Sequence, residues 1–302
     1  MTLLQSAAID ASTPVPTVSV VIPVLNGEAT LGQQLHALAG QTYDGPWEAV
    51  VADNGSTDGT AELVEAWADR LPRLRLVEAS GRRSTNHARN VGAAAAVGGL
   101  IAFCDADDVA TPGWLAAMVA GLDHHDLVGG RLDEEALNDP AARAWRWTRT
   151  AAELPRALRF LPYATSANIA VRADVLRALG GWNEDFVRGG SEVELCWRAQ
   201  LASYRLGYAP EAVMLYRHRS TRRAFVHQQY EYGRAEVQLY RAFRDRGIPR
   251  QRVSRACWAW GWSMVHLPDL LRSPVDQGRW LRRTAFRVGR LHGSIRFRAL
   301  CL

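Results

Sequence analysis

Five apolar residues, Leu100 to Cys104, run without interruption into Asp105-Ala106-Asp107-Asp108. A short unbroken apolar run predicts a strand buried on both faces, and its abrupt acidic end predicts a crevice at the carboxyl edge of a sheet. The same pattern recurs upstream. Val18 to Val24 is β-rich and nearly all apolar, Glu48 to Ala52 stops at Asp53, and Leu74 to Val77 is a third run. Between the runs the spacing becomes helical: Leu31, Leu35 and Leu38 within Glu28 to Ala39, Leu63, Val64 and Trp67 within Ala61 to Ala68, and an alanine-rich stretch from Arg82 to Ala96. The order β-α-β-α-β-α-β predicts an α/β fold with a Rossmann-type, mostly parallel sheet flanked by helices.

Beyond Asp108 the pattern loosens. A helix is predicted to start at Thr111-Pro112-Gly113-Trp114 and run to about Leu122, a strand from Leu127 to Leu132, a strand from Thr165 to Val171 and a short helix from Asp174 to Ala178. Trp145-Arg146-Trp147 reads as a loop or short helix. Gly189-Gly190-Ser191 precedes a helix to Ala202, with Ser191 the expected N-cap and Glu192 and Glu194 in the first turn.

At 48% hydrophobic content, 302 residues suffice for one large core or two modest ones. The formal charge is +5, and all 36 basic residues are arginine. That excludes a Walker A lysine, a Schiff-base lysine and a lysine nucleophile. Residues 217–302 hold 19 arginines and 5 acids, whereas residues 1–216 hold 17 arginines and 26 acids, so an acidic body carries a basic tail. The four cysteines are far apart, without a metal-binding or disulfide pattern, which fits a reducing cytoplasm. Residues 1–16 read as a loose leader unlike a signal peptide. No apolar stretch is long enough to span a bilayer.

Carboxylates as close as Asp105, Asp107 and Asp108 repel one another, and a hard cation with oxygen ligands, Mg²⁺ or Mn²⁺, relieves the repulsion and can bridge to phosphate. Asn26 follows the first strand, Asp53 the second, and Asp105 and Asp107 the fourth. Three strand ends thus deliver polar groups to one crevice. No G-x-G-x-x-G follows the first strand, so a dehydrogenase-type dinucleotide site is not supported.

The ordered set Val20-Val21-Ile22-Pro23-Val24-Leu25-Asn26, Asp53-Asn54-Gly55-Ser56-Thr57-Asp58-Gly59-Thr60, Ala88-Arg89-Asn90-Val91-Gly92, Asp105-Ala106-Asp107-Asp108, Gly180-Gly181-Trp182 and Gly190-Ser191-Glu192-Val193-Glu194-Leu195 resembles family 2 glycosyltransferases of the GT-A fold over roughly residues 17–220. The resemblance implies a catalytic domain that binds a nucleoside-diphosphate sugar and transfers the sugar to an acceptor hydroxyl with inversion. It implies that Asp53 accepts a hydrogen bond from the nucleobase, with Pro23, Asn26 and Glu28 around it and Arg89 facing the nucleotide. Asp105 would contact the ribose, and Asp107 would hold the metal, with His218 completing the site. Glu192 occupies the position of the general base. The family has two adjacent acids there and this chain reads Ser191-Glu192, so Glu194 remains a rival. A non-catalytic nucleotide-sugar-binding protein and a sugar-phosphate nucleotidyltransferase are the alternatives on the same architecture.

From residue 221 the chain is predicted to be a helical, arginine-rich region. Arg222 to Phe243 is strongly helical, and Gln228 to Arg234 is placed beside the acceptor by analogy with the family. Cys257-Trp258-Ala259-Trp260-Gly261-Trp262 and the helix Arg279 to Arg290 set aromatics beside positive charge. That combination suits an anionic membrane surface, on the inner face of the cell membrane, and plain packing against the body equally well; nucleic acid is a weaker fit.

Overall fold

In the computed structural model, residues 17–71, 73–146, 153–249 and 253–301 are described, so the leader at residues 1–16 and Trp147 lie outside the described residues. The first half follows the predicted alternation: β1 (Val18–Val24), α1 (Leu31–Ala39), β2 (Trp47–Asp53), α2 (Thr60–Trp67), β3 (Leu74–Glu78), α3 (Thr85–Ala95) and β4 (Leu100–Cys104). These strands pair in parallel in the order β3-β2-β1-β4, with Val24 opposite Asp53 and Asp53 opposite Glu78. Every residue of β1 is buried because helices cover both faces of the sheet.

The second half is mixed: β5 (Val109–Ala110), α4 (Trp114–Leu122), β6 (Leu127–Asp133), α5 (Pro140–Ala144), β7 (Asn168–Arg172), α6 (Ala173–Ala178), α7 (Ser191–Leu201) and β8 (Leu206–Leu215). The sheet continues β4-β7-β6-β8-β5, with β7 antiparallel to both β4 and β6. β7 starts three residues later than its sequence predicts. Thr165 carbonyl accepts the Asn168 N–H at 2.9 Å, closing a turn where the strand was expected to begin, and Thr165 to Ala167 are thereby turned toward the crevice. Asn168, fully buried, then ties three strands together: its Nδ2 donates to Arg131 O and Ala212 O, and its Oδ1 accepts from Trp114 Nε1.

The C-terminal helices are α8 (Arg222–Phe243), α9 (Val253–Val265), a 3₁₀ turn (Leu267–Leu271) and α10 (Pro274–Arg296). The boundary at residues 220 and 221 separates compositions, yet the core crosses it. Leu158, Val193 and Trp197 of the body share a buried cluster with Val237, Leu239, Phe243, Ala299 and Cys301. The glycines at 233, 289 and 293 let α8 and α10 pack at backbone distance; a Cβ on Gly233 would stand 2.0 Å from Phe286 O. No helix among the described residues is long and apolar enough to cross a membrane.

Candidate active site

The strand ends converge as their sequence pattern predicts. At the ends of β1 and β2 the loops lock onto each other: Asn26, at φ 54, accepts the Thr57 N–H on its Oδ1 (2.9 Å) and donates its own N–H to Ser56 Oγ (2.9 Å). Asp53 Oδ1 accepts from the Ser56 N–H and hydroxyl at 2.9 and 2.6 Å. Glu28 Oε2 accepts the Gly59 N–H at 3.0 Å, and a Cβ at position 59 would meet that carboxylate at 2.7 Å. Much of the hydrogen-bonding capacity of Asn26, Glu28 and Asp53 is therefore used to hold one rigid wall. Pro23 lies on a cavity of about 170 Å³ beside that wall, together with Asn54, Arg83, Ser84 and Val187.

At the end of β4, Asp105 Oδ1 accepts from Arg89 Nη2 at 2.9 Å. Arg89 is only 4% exposed. Its guanidinium lies 4.8 Å over the Trp182 ring, and its Nη1 donates to Asn86. The Gly180-Gly181-Trp182 turn supplies this platform. Gly181, at φ 76, brings its backbone against Asn90, whose amide brackets the Trp182 backbone through Oδ1 (2.8 Å) and Nδ2 (2.9 Å). Arg89 thus positions Asp105 while also lining the main cavity.

Asp105, Asp107 and Asp108 each offer an oxygen, and these atoms lie within 4.8 Å of one another. Asp108 is 1% exposed; its Oδ1 accepts the Arg217 N–H at 2.8 Å, and its Oδ2 has no partner. Burial, followed by the charge of Asp105, pushes the Asp108 carboxyl up to about 9, and the same two causes raise that of Asp107. An all-oxygen set with an orphaned buried oxygen and mutual repulsion fits a hard divalent cation. The resemblance puts the metal on Asp107 with His218, whereas the oxygens that lie together here are those of the whole Asp105, Asp107 and Asp108 run.

His218 is not among the groups that converge. Its Nε2 is 4.0 Å from Glu134, its ring stands edge-on to Tyr216 at 5.3 Å, and burial, then Arg146, depresses its pKa to about 4. Past β8 the backbone is held from two sides: the Arg217 N–H donates to Asp108 Oδ1 at 2.8 Å and the His218 backbone N–H donates to Asn138 Oδ1 at 2.7 Å.

The main cavity, of about 590 Å³, is within the common range for small-molecule sites, about 300–1,000 Å³. Asp105, Arg89 and Glu192 line one side of it, and Thr221, His227, Gln228, Glu231 and Tyr232 of the α8 segment line the other. Of the segment Gln228 to Arg234, Gln228, Glu231 and Tyr232 are therefore on the cavity wall. α8 reaches that position by resting on Gly189 and Gly190, both at positive φ, where a Cβ would stand 3.0 Å from Tyr232 and 3.3 Å from Ala235.

Gly190, at φ 79, is the N-cap of α7, and its carbonyl accepts the Glu194 N–H at 2.9 Å, so Ser191 is the first helical residue and not the cap. The two rival acids consequently separate. Glu192 faces the cavity with Ser191 Oγ at 3.4 Å; burial raises its pKa, opposed by Arg89. Glu194 is buried away from the cavity lining in a two-point ion pair with Arg198 at 3.0 and 2.8 Å. Arg198 is tied in turn to the carbonyls of Leu179 and Gly181. The Glu-to-Arg spacing of four residues was legible in the sequence as the sign of this structural role.

A family model described as "Glycosyl transferase family 2" matches residues 19–180, more than half of the chain. The chain belongs to that family. It is a glycosyltransferase of the GT-A fold. Glycosyltransferase AglE of Haloferax volcanii is 28% identical, over 80% of this chain and 80% of that protein. Validoxylamine A glucosyltransferase of Streptomyces hygroscopicus subsp. limoneus is 32% identical over 62% of this chain, which spans about half that relative's length (49%). A mannosyltransferase from Pyrobaculum calidifontis, solved with GDP-Man and Mn²⁺, superposes with a TM-score of 0.66 at 20% identity, covering 93% of this chain and 88% of that one.

Proposed function

We propose that this glycosyltransferase moves a sugar from a nucleoside-diphosphate donor to an acceptor hydroxyl in one inverting displacement that depends on Mg²⁺ or Mn²⁺. The observation that carries this reading is Glu192, which lines the same cavity as Asp105 and α8 and, among the described residues, is the cavity carboxylate without an arginine partner, Asp105 being paired with Arg89 and Glu231 with Arg234. One base and one displacement invert the anomeric centre, because a retaining double displacement requires a second group acting as nucleophile. A donor with GDP-Man and Mn²⁺ in a fold relative agrees with this chemistry.

In this reading Pro23, Asn26, Glu28 and Asp53 form the nucleobase wall. Arg89 holds Asp105, which would meet the ribose, and Asp107 and Asp108 would hold the cation together with Asp105. The bound cation supplies positive charge where the diphosphate leaving group develops its negative charge. Glu192 removes the proton of the acceptor hydroxyl, a group that is a poor nucleophile until deprotonated. Burial strengthens Glu192 as a base by making its carboxylate form more costly. Four free cysteines, three of them buried, suit a reducing, cytoplasmic setting.

The direct test is thermal stabilisation by UDP, GDP and dTDP, each with Mn²⁺ and with EDTA. A ligand that binds only the folded form at a hundredfold excess over its dissociation constant adds about 2.7 kcal/mol. The expected result is a rise with one nucleotide that EDTA removes. A response to none of them in either condition would overturn the donor assignment.

A further inference from the structure

Ten of the fifteen large apolar side chains that stand exposed among the described residues lie between Trp258 and Leu300. Their densest run is the corner where α9 gives way to α10. Met264 is 72% exposed, Val265 75%, Leu267 50%, Leu271 91% and Val275 53%. Apolar groups gathered this closely mark a contact surface, whereas scattered single ones do not.

The charge around the corner is one-sided. Residues 253–302 contain nine arginines and two acids, Asp269 and Asp276. Both acids are already satisfied: Asp269 is 2% exposed and paired with Arg272 at 2.9 Å, and the Asp276 carboxylate accepts from the hydroxyl of Ser273, the N-cap of α10, and pairs with Arg279. By contrast Arg283 and Arg287 lie over one ring, Trp262, at 4.5 and 5.3 Å; Arg287 donates to Ser263 Oγ, and neither has a carboxylate partner among the described residues. Burial, followed by the charge of Arg283, lowers the pKa of Arg287. Trp262 sits one turn before Val265, so paired cations adjoin the apolar corner.

We propose that this corner docks on the surface of an anionic lipid bilayer, with Val265, Leu267 and Leu271 entering the acyl boundary and Arg283 and Arg287 meeting lipid phosphates. Guanidinium pairs suit phosphate oxygens, and apolar side chains next to basic ones are what an interfacial segment requires. Of the other occupants, a second copy of the chain would set two segments of formal net charge +7 against each other. A nucleic acid would stack on aromatic faces beside the cations; Trp258 is exposed, but the ring under the arginine pair, Trp262, is already stacked on His266 at 4.3 Å and the most exposed groups of the corner are aliphatic. The helix that carries the arginines packs on α8, which closes the catalytic cavity, so the membrane contact would hold that cavity at the bilayer.

The test is flotation of the full chain on vesicles of phosphatidylcholine alone and of phosphatidylcholine mixed with phosphatidylglycerol. The chain is expected to float with the mixed vesicles only, and to be released by high salt. Val265→Glu combined with Leu271→Glu should reduce the bound fraction about tenfold or more, with an unchanged thermal midpoint because both side chains already face solvent. Arg283→Gln with Arg287→Gln should remove the preference for the anionic lipid. No flotation, equal flotation on the neutral vesicles, or flotation that survives Val265→Glu/Leu271→Glu each overturns the proposal. So does a dimer in sedimentation that the same double substitution dissociates, or an oligonucleotide bound through the arginines with no vesicle binding.

Discussion

Glu192→Gln loses sugar transfer while the protein still folds and still binds its nucleotide. General bases contribute about 10²- to 10⁴-fold to turnover, so kcat should fall by that order with the nucleotide-induced rise in thermal midpoint intact. The isosteric amide keeps the shape of the side chain and cannot accept the hydroxyl proton. Wild-type turnover should also fall as pH decreases, because only the ionised Glu192 acts as base and burial holds its pKa above the ordinary carboxylate value. The acid limb of the kcat profile therefore lies higher than that of an exposed glutamate. Glu194→Gln should behave in the opposite way. It breaks a buried ion pair and leaves Arg198 uncompensated, at a cost of about 3–5 kcal/mol, visible as a lower thermal midpoint with chemistry retained in the folded fraction. A Glu194→Gln protein that melts like wild type and has no turnover would reverse the assignment of the base.

Asp107→Asn is expected to abolish the part of the nucleotide-induced stabilisation that EDTA removes, and to lower kcat by about 10³-fold, since a cation at a leaving diphosphate is worth several kcal/mol. The neighbouring Asp108 gives the same site a second readout that needs no substrate. Its carboxyl is raised from 3.8 to about 9 in the metal-free fold. The folded form then binds the proton more tightly than the unfolded form does. The linked stability is fully present below pH 3.8 and is lost progressively as pH rises toward 9. The metal-free midpoint should accordingly fall across that interval, Mn²⁺ should restore it at the alkaline end, and Asp108→Asn, which cannot ionise, should flatten the metal-free slope. A slope identical in wild type and Asp108→Asn would show that this carboxylate is not the strained one.

The chain by itself determined the fold of the first hundred residues and the crevice. β1 and β4 are apolar runs too short for helices and too continuous for one-sided strands, and the polar residues that follow them stand at the carboxyl edge of the sheet. Asp53, Asp105 and Asp107 were legible for that reason: a strand end is a local property. The length of α8, from Arg222 to Phe243, was legible too, from uninterrupted helical spacing.

What the tertiary structure alone decided involves partners remote in the chain. Glu192 and Glu194 share the first turn of α7 and differ in direction by about two hundred degrees. Which of them faces a cavity is set by α8 on one side and by the Leu179 and Gly181 carbonyls that anchor Arg198 on the other. The seat of Arg89 on Trp182, and of the His218 imidazole near Glu134 and not among the oxygens of the acidic cluster, depend likewise on residues that no local pattern connects to them. The antiparallel insertion of β7 between β4 and β6 follows from a turn at Thr165 whose neighbours belong to other strands. The C-terminal aromatics are the clearest case. Sequence alone drew attention to the tryptophan cluster. Packing spent Trp262 on His266, Arg283 and Arg287, and left the aliphatic side chains from Met264 to Leu271 facing outward, because helix pairing consumes one face of a segment and exposes whatever occupies the other.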